Sequence, residues 1–336
     1  MTPNVVAPPV SGPAGGILSG LRRLLTSESL VLWLALAYAA TLAPFTPGFV
    51  SASNGQALLA YALPILTASL GLTLVLILGG MDLSVTAVIS LASVVGGRIM
   101  SAEEGWMAGS PLAVPAGVAA MLLVGAGVGA VNGWVVTACR VPAFIATLAT
   151  LMLFSGLALW MTQSRKIGGL PPGFVLLGQR LWMATAITAG VAALAQAALS
   201  RTLYGQWVRA IGYNPRAARI SGVPVHRVTF ATYVACGLFA AVSSILFTAA
   251  LETGNPEMAR DNLLDVVGAV VIGGTSLYGG RGRILGTVFG VLFLSLVDNS
   301  LNLLGLTFYN ITMIKGGVIL GAALMDALRN RLLAAA

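Results

Sequence analysis

The sequence carries little charge. Only 8% of its 336 residues are Asp, Glu, Lys or Arg, whereas 57% are hydrophobic. Ordinary soluble domains carry about 25% charged residues, so this chain cannot cover the surface of a water-soluble globule with polar groups. The composition excludes an ordinary soluble domain and indicates a protein embedded in a lipid bilayer.

The sequence also lacks the residues and motifs on which most enzyme sites depend. It has one histidine and two cysteines, and it contains no GxxxxGK[ST], HExxH or GxSxG motif. Paired carboxylates would be the remaining catalytic option, but Asp82, Asp265 and Asp298 lie in different segments and no spacing pairs them. Cys139 and Cys236 have apolar neighbours and are expected to be small core residues. The sequence predicts neither an enzyme nor a metal site.

The net charge of +8 does not indicate a nucleic-acid partner, because the basic residues lie in short connections and not on a soluble domain. Five arginines and the histidine fall in one such connection, Arg201–Arg227, which contains no acidic residue. Short positive loops remain in the cytoplasm. This segment therefore predicts which side of the membrane is cytoplasmic.

The apolar runs provide for about ten membrane crossings of roughly 20 residues each. They cover residues 30–43, 56–78, 84–101, 111–137, 141–162, 181–200, 228–250, 263–274, 284–304 and 311–326. The run at 263–274 is short and is expected to be a broken or re-entrant segment. The sequence thus predicts an all-α polytopic membrane protein with about ten transmembrane helices.

The expected organisation is a disordered cytoplasmic tail at 1–28, a transmembrane domain at 29–328 with a cytoplasmic loop at 201–227, and a cytoplasmic C-terminal tail at 329–336. A cleaved signal peptide is the alternative for the N-terminus, because the sequence AYA near the end of the first run resembles a cleavage site. With an even number of crossings, both termini lie in the cytoplasm. The basic residues of the loop 163–180 oppose this topology, since they fall outside.

Two glycine pairs interrupt the apolar runs at similar positions in the two halves. Residues 76–83 read LILGGMDL and residues 270–277 read VVIGGTSL. Paired breaks of this kind point to a transport pathway at the interface of two repeats. An internal duplication and a chance similarity in a glycine-rich chain both remain open.

Polar residues within the spans are costly in lipid and are therefore candidates for a translocation path. Asp82 is expected to cap the helix that follows it, with substrate contact as the alternative. One face of the ninth span is polar, and it either bonds to neighbouring helices or lines a wet cavity. The candidate path residues are Asp82, Ser84, Asn132, Thr275, Ser276, Asp298, Asn299 and Asn302.

Several segments, taken in order, resemble the membrane permeases of ribose-type ABC sugar importers. They are GGMDLSVTAVISL (79–91), VPAFIATLATL (141–151), GYNPRAARISGVPVHRV (212–228), VVIGGTSLYGGRGRILGT (270–287) and LNLLG (301–305). The resemblance covers residues 30–328. It implies a permease of the bacterial inner membrane that moves a monosaccharide, namely a pentose, a hexose or a related small polyol, into the cytoplasm by alternating access.

The resemblance also implies the partners. A cytoplasmic ABC ATPase would hold ATP and Mg²⁺, a periplasmic protein would deliver the sugar, and a second permease, identical or different, would complete the path within membrane lipid. This chain would hold no cofactor and would bind no nucleic acid.

A short coupling helix that docks on the ATPase is implied within the basic connection. Asn-Pro is suited to begin that helix, two alanines offer a small face, and a glycine is suited to end it. Many relatives have an acid where Arg216 stands, so an acid-mediated contact is not carried over. The matching positions are Asn214, Pro215, Arg216, Ala217, Ala218, Arg219, Ser221 and Gly222.

Two other classes of function remain open. An ion-coupled secondary transporter would also use broken helices and repeats, and would need buried charges, for which Asp82, Asp265, Asp298 and Lys315 are the candidates. A structural or assembly membrane protein would have no reason for a polar face on the ninth span.

Overall fold

The computed structural model describes residues 30–334, so the predicted tail at 1–28 lies outside the described residues. The described range contains thirteen α-helices and one 3₁₀ turn at Arg260–Asn262. The helices are α1 Leu30–Leu42, α2 Ala52–Ile77, α3 Val85–Met100, α4 Ala113–Thr137, α5 Ala143–Thr162, α6 Pro172–Gln179, α7 Leu181–Arg201, α8 Leu203–Tyr213, α9 Pro215–Ile220, α10 Val225–Ala250, α11 Leu263–Ile272, α12 Ile284–Leu303 and α13 Phe308–Ala334.

Each of the ten predicted apolar runs contains one helix, and the all-α class is confirmed for the described range. The helices that the runs do not account for are α6, α8 and α9, which form within the connections. Six helices, namely α2, α4, α5, α7, α10 and α12, are long and apolar enough to cross a membrane. Helices α1 and α3 are shorter apolar helices, and α11 has only 10 residues because a glycine break ends it. The chain is therefore a multi-pass membrane protein.

Helix α2 lies at the centre of the fold. Every residue from Ala62 to Ile77 is buried, and the helix packs against α7, α8, α10, α11 and α12. A helix that is apolar on all sides needs such an environment of protein or lipid. Helix α2 and the segment that follows it are consequently surrounded by several helices.

Helices α4 and α10 pack with their backbones in contact. Glycines recur on α4 at positions 125, 129 and 133, a spacing of four that puts them on one face. A Cβ at Gly125 would overlap the carbonyl oxygen of Gly237 on α10. Small residues at this spacing allow close approach of membrane helices, which van der Waals contact then stabilises.

Loops that the sequence predicts on the same side contact each other. Ile167, in the connection before α6, exchanges two backbone hydrogen bonds with Gly254, in the connection after α10, at 2.8 and 2.9 Å. Ala102 N–H donates to the Gly169 carbonyl at 2.7 Å, which adds the connection after α3. These three connections contact one another at one end of the bundle.

The two glycine breaks end their helices in the same way. Gly79 after α2 and Gly274 after α11 both have positive φ, +85° and +83°. The next amide in each case donates five residues back, from Gly80 to Val75 and from Thr275 to Val270. The equivalent glycines are thus Gly79 and Gly274, which corrects the register of the sequence repeat by one residue.

Candidate functional site

The connection Arg201–Arg227 folds into two helices, α8 and α9. Asn214 begins α9, and its side-chain oxygen accepts hydrogen bonds from the backbone N–H groups of Arg216 and Ala217 at 3.0 and 3.1 Å. Pro215 occupies the first helical position, and Gly222, with φ of +83°, follows the last turn. The predicted beginning and end of this short helix are confirmed.

Helix α9 presents most of its surface outward. The exposed residues include Pro215, Arg216, Ala217 and Arg219. Ile220, which was not among the predicted coupling residues, is 88% exposed. Ala218 is buried, so the expectation of a face formed by both alanines is wrong. The reason is the helical period, which turns neighbouring positions by about 100° and directs Ala218 toward the core while Ala217 points away.

Helix α8 anchors α9 to the bundle. Val208 and Ile211 are buried in the main hydrophobic core, which also contains Ala218. The Tyr204 hydroxyl lies 2.8 Å from the Thr232 hydroxyl on α10. The exposed α9 is therefore fixed to the hydrophobic core through α8, so a force on α9 acts on the core.

A cavity of about 460 Å³ separates α9 from the first glycine break. Arg140, in the turn before α5, borders the cavity. Its neighbour Cys139 is exposed, so the expectation that Cys139 lies in the core is wrong, whereas Cys236 is buried as predicted. Other residues around the cavity include Leu78, Gly79, Gly80, Pro215, Arg219, His226 and Tyr233.

A buried hydrogen-bond network follows the first break. Asp82 accepts from the backbone N–H and the hydroxyl of Ser84 at 2.9 and 2.6 Å. The Asn132 amide donates to the Ser84 hydroxyl at 2.7 Å, and the Thr150 hydroxyl donates to the Asn132 side-chain oxygen at 2.7 Å. All four residues are buried. The network joins the break to α4 and α5.

Asp82 does not cap α3 in the predicted manner. Ser84 stands at the cap position without a capping side-chain bond, and Asp82, two residues before that cap, instead forms a local turn. The preceding Met81 carbonyl accepts from the Tyr233 hydroxyl of α10 at 3.2 Å. Asp82, Ser84 and Asn132 thus lie together, as members of one network around the break.

Thr275 and Ser276 lie in the second break, apart from the other candidates. The Thr275 hydroxyl is buried and has no hydrogen-bond partner among the described residues. The Ser276 N–H donates to the Arg281 carbonyl at 2.9 Å, which closes the turn between α11 and α12. These two residues are therefore adjacent to the glycines, and no hydrogen bond among the described residues joins them to the Asp82 network.

A charged cluster joins α11, α12 and α13. The Lys315 ammonium lies 2.8 Å from the Asp265 carboxylate and 3.0 Å from the Asp298 carboxylate. Asn262 donates to the Tyr61 hydroxyl at 2.8 Å beside it. No spacing in the sequence pairs Asp265 with Asp298, but the packed helices bring both acids to one shared lysine.

The polar face of α12 divides between different partners. Asp298 binds Lys315, and Asn299 exchanges two hydrogen bonds with Asn54 of α2 at 2.8 and 3.0 Å. Asn302 is exposed and donates to Asp298 one turn earlier. This face was expected either to bond to neighbouring helices or to line a wet cavity, and bonding to neighbouring helices applies to Asp298 and Asn299.

The comparison with known families decides the class of protein. Residues 56–323 match the family described as branched-chain amino acid transport system / permease component. The chain belongs to this permease family. The predicted resemblance to importer permeases is confirmed, and so is the membrane-embedded character of the chain.

Individual relatives of the permease are sugar transport proteins. It is 34% identical over 311 residues to the ribose import permease protein RbsC of Escherichia coli K12, covering 90% of this chain and 94% of the relative. It is 38% identical over 263 residues to RbsC of Bacillus subtilis 168, with 76% and 79% coverage. The L-arabinose transport system permease protein AraH of E. coli K12 is 32% identical over 293 residues, with 85% and 86% coverage. No solved structure matches the chain.

Sequence reasoning missed several residues of the permease that complete these networks. Thr150 lies within the segment VPAFIATLATL and could have been selected from it, because a threonine inside an apolar helix needs a partner. Tyr233 and Tyr61 give no local signal.

Proposed function

We propose that this permease is the membrane-spanning subunit of an ATP-driven importer that carries a monosaccharide, a pentose, hexose or related small polyol, into the cytoplasm. Three relatives are named as ribose or L-arabinose permeases. The observation that carries the proposal is α9, a capped and outward-facing helix fixed to the core through α8. A membrane protein has little reason to build such a helix unless another protein contacts it.

The proposed partner at α9 is a cytoplasmic ABC ATPase that binds ATP and Mg²⁺. The contact surface consists of Asn214 to Gly222, with Ile220 as an apolar anchor at its tip. Exposed large apolar side chains on a water-facing segment favour a protein interface. Arg216 and Arg219 favour an acidic surface on the ATPase, because complementary charge steers association.

The proposed topology has ten crossings, formed by α1 to α5, α7 and α10 to α13, in the bacterial inner membrane. The short helices α1, α3 and α11 cross together with the segments that flank them. Both termini and the loop 201–227 then face the cytoplasm, and the connections joined at Ile167 and Gly254 face the periplasm. A periplasmic sugar-binding protein would dock there, and a second permease would complete the path.

Transport would follow from alternating access. ATP binding closes the ATPase dimer, α9 moves with it, and the bundle changes the side on which the path is open. The Asp82 network and the second break are the proposed polar lining. An ion-coupled mechanism is not favoured, since Lys315 already binds both Asp265 and Asp298.

The test is uptake into proteoliposomes with ribose and L-arabinose as the probes. The permease with its ATPase and binding protein is expected to accumulate one of these sugars only when ATP is present. Vesicles that contain the permease alone should show no uptake above empty vesicles. Movement of sugar down its gradient at transporter rates by the permease alone would overturn the proposal.

A further inference from the structure

Three segments that are distant in sequence meet with their backbones in direct contact. The meeting point joins the first break at Gly79, the turn at Gly279 and Gly280 that follows the second break, and Gly212 in the last turn of α8. The Gly280 N–H donates to the Ile77 carbonyl at 2.8 Å. A backbone hydrogen bond therefore joins the end of α2, at the first break, to the turn that follows the second break.

Gly212 fills the space beside that bond. A Cβ at position 212 would overlap both atoms of it, the Ile77 oxygen and the Gly280 nitrogen. A Cβ at Gly279 would lie 2.8 Å from the Gly212 carbonyl oxygen and 2.8 Å from the Gly79 Cα. Gly79 and Gly279 also have φ of +85° and +88°, which L side chains rarely adopt. The junction requires glycine on all three segments.

We propose that Gly212 is a positioning residue that transmits movement of α9 to the first glycine break and to the turn that follows the second. It stands two residues before Asn214, the cap of α9, on the helix that anchors α9. The inference rests on the proposed function, because it requires that a motor acts on α9.

Direct contact between backbones makes this junction suited to transmission. A side chain between two segments absorbs a small displacement by changing rotamer, whereas backbone atoms in contact move together. The helix that carries Gly212 is held by Val208 and Ile211 in the same core as Leu78 of the first break. Displacement of α8 therefore reaches the segments that carry Asp82 and Thr275.

The variant to test is Gly212→Ala in the complete complex of permease, ATPase and binding protein. The complex is expected to assemble and hydrolyse ATP, while sugar uptake per ATP hydrolysed falls about tenfold or more, a typical size for coupling between sites. Gly156→Ala is the matched control, because Gly156 is a helical glycine with no atom near its Cβ position. An unchanged ratio of uptake to hydrolysis in Gly212→Ala would overturn the proposal.

Hydrogen exchange of the wild-type complex tests the same inference without a variant that could misfold. Binding of an ATP analogue is expected to change exchange in residues 215–220, 78–84 and 273–283 together, with the Gly280 amide among them. A change confined to 215–220 would refute transmission through Gly212 and leave the proposed function intact. Residues 215–220 that do not respond when the ATPase binds would contradict both.

Discussion

Lys315→Met should destabilise the permease strongly, because Lys315 is the cation of a buried cluster. The side chains of Lys315, Asp265 and Asp298 are 15%, 7% and 19% exposed, so all three are largely removed from solvent. Removal of one partner from a buried ion pair costs about 3–5 kcal/mol, since it leaves an uncompensated charge. Methionine retains the length of the side chain, so lost packing contributes little.

The assay is thermal unfolding of the purified permease in detergent micelles. With about 2 °C per kcal/mol for a chain of this size, the midpoint should fall by about 6–10 °C. The triple variant Lys315→Met, Asp265→Asn, Asp298→Asn removes every charge of the cluster and should regain most of that loss. On the same scale of ~2 °C per kcal/mol, a midpoint for Lys315→Met within 1 °C of wild type would refute the assignment of a buried ion-pair cluster.

Three further predictions concern the glycine stripe, the Asp82 network and the α9 cap. Gly125→Ala should reduce the monodisperse fraction after detergent extraction, because its Cβ would overlap α10, whereas Gly127→Ala, which faces open space on the same helix, should not. Asn132→Leu leaves buried polar partners unbonded and should lower stability by about 1–3 kcal/mol, measured as a shift in thermal midpoint; an unchanged midpoint would contradict the network. Asn214→Ala should weaken α9 by about 1 kcal/mol and speed amide exchange at positions 216 and 217, with the global midpoint unchanged; equal exchange would argue against the cap.

The location of the helices could be predicted from the sequence because hydrophobicity over a span of residues is a local signal. All ten apolar runs became helices, with ends displaced by several residues at most in α1 to α5. The short helix α9 was also predictable, since Asn-Pro and Gly mark its ends by backbone chemistry that is independent of tertiary context.

The contacts between segments could not be predicted in the same way. Lys315 binds Asp265 and Asp298 because α11, α12 and α13 pack together, and no spacing in the sequence records that packing. The burial of Ala218 depends on how α9 is rotated on α8. The role of Gly212 depends on the meeting of three segments, and no local sequence pattern distinguishes it among the 41 glycines of the chain.

The central claim is that α9 docks the ATPase, and the affinity of the purified ATPase for the permease tests it most directly. Ala217→Trp places a bulky side chain on the exposed face of α9 and should weaken binding by about tenfold or more, or ~1.4 kcal/mol. Ala197→Trp, at an exposed position of α7 outside the connection, should bind as the wild type does. Equal affinity of the ATPase for both variants would contradict the assignment of α9 as the docking helix.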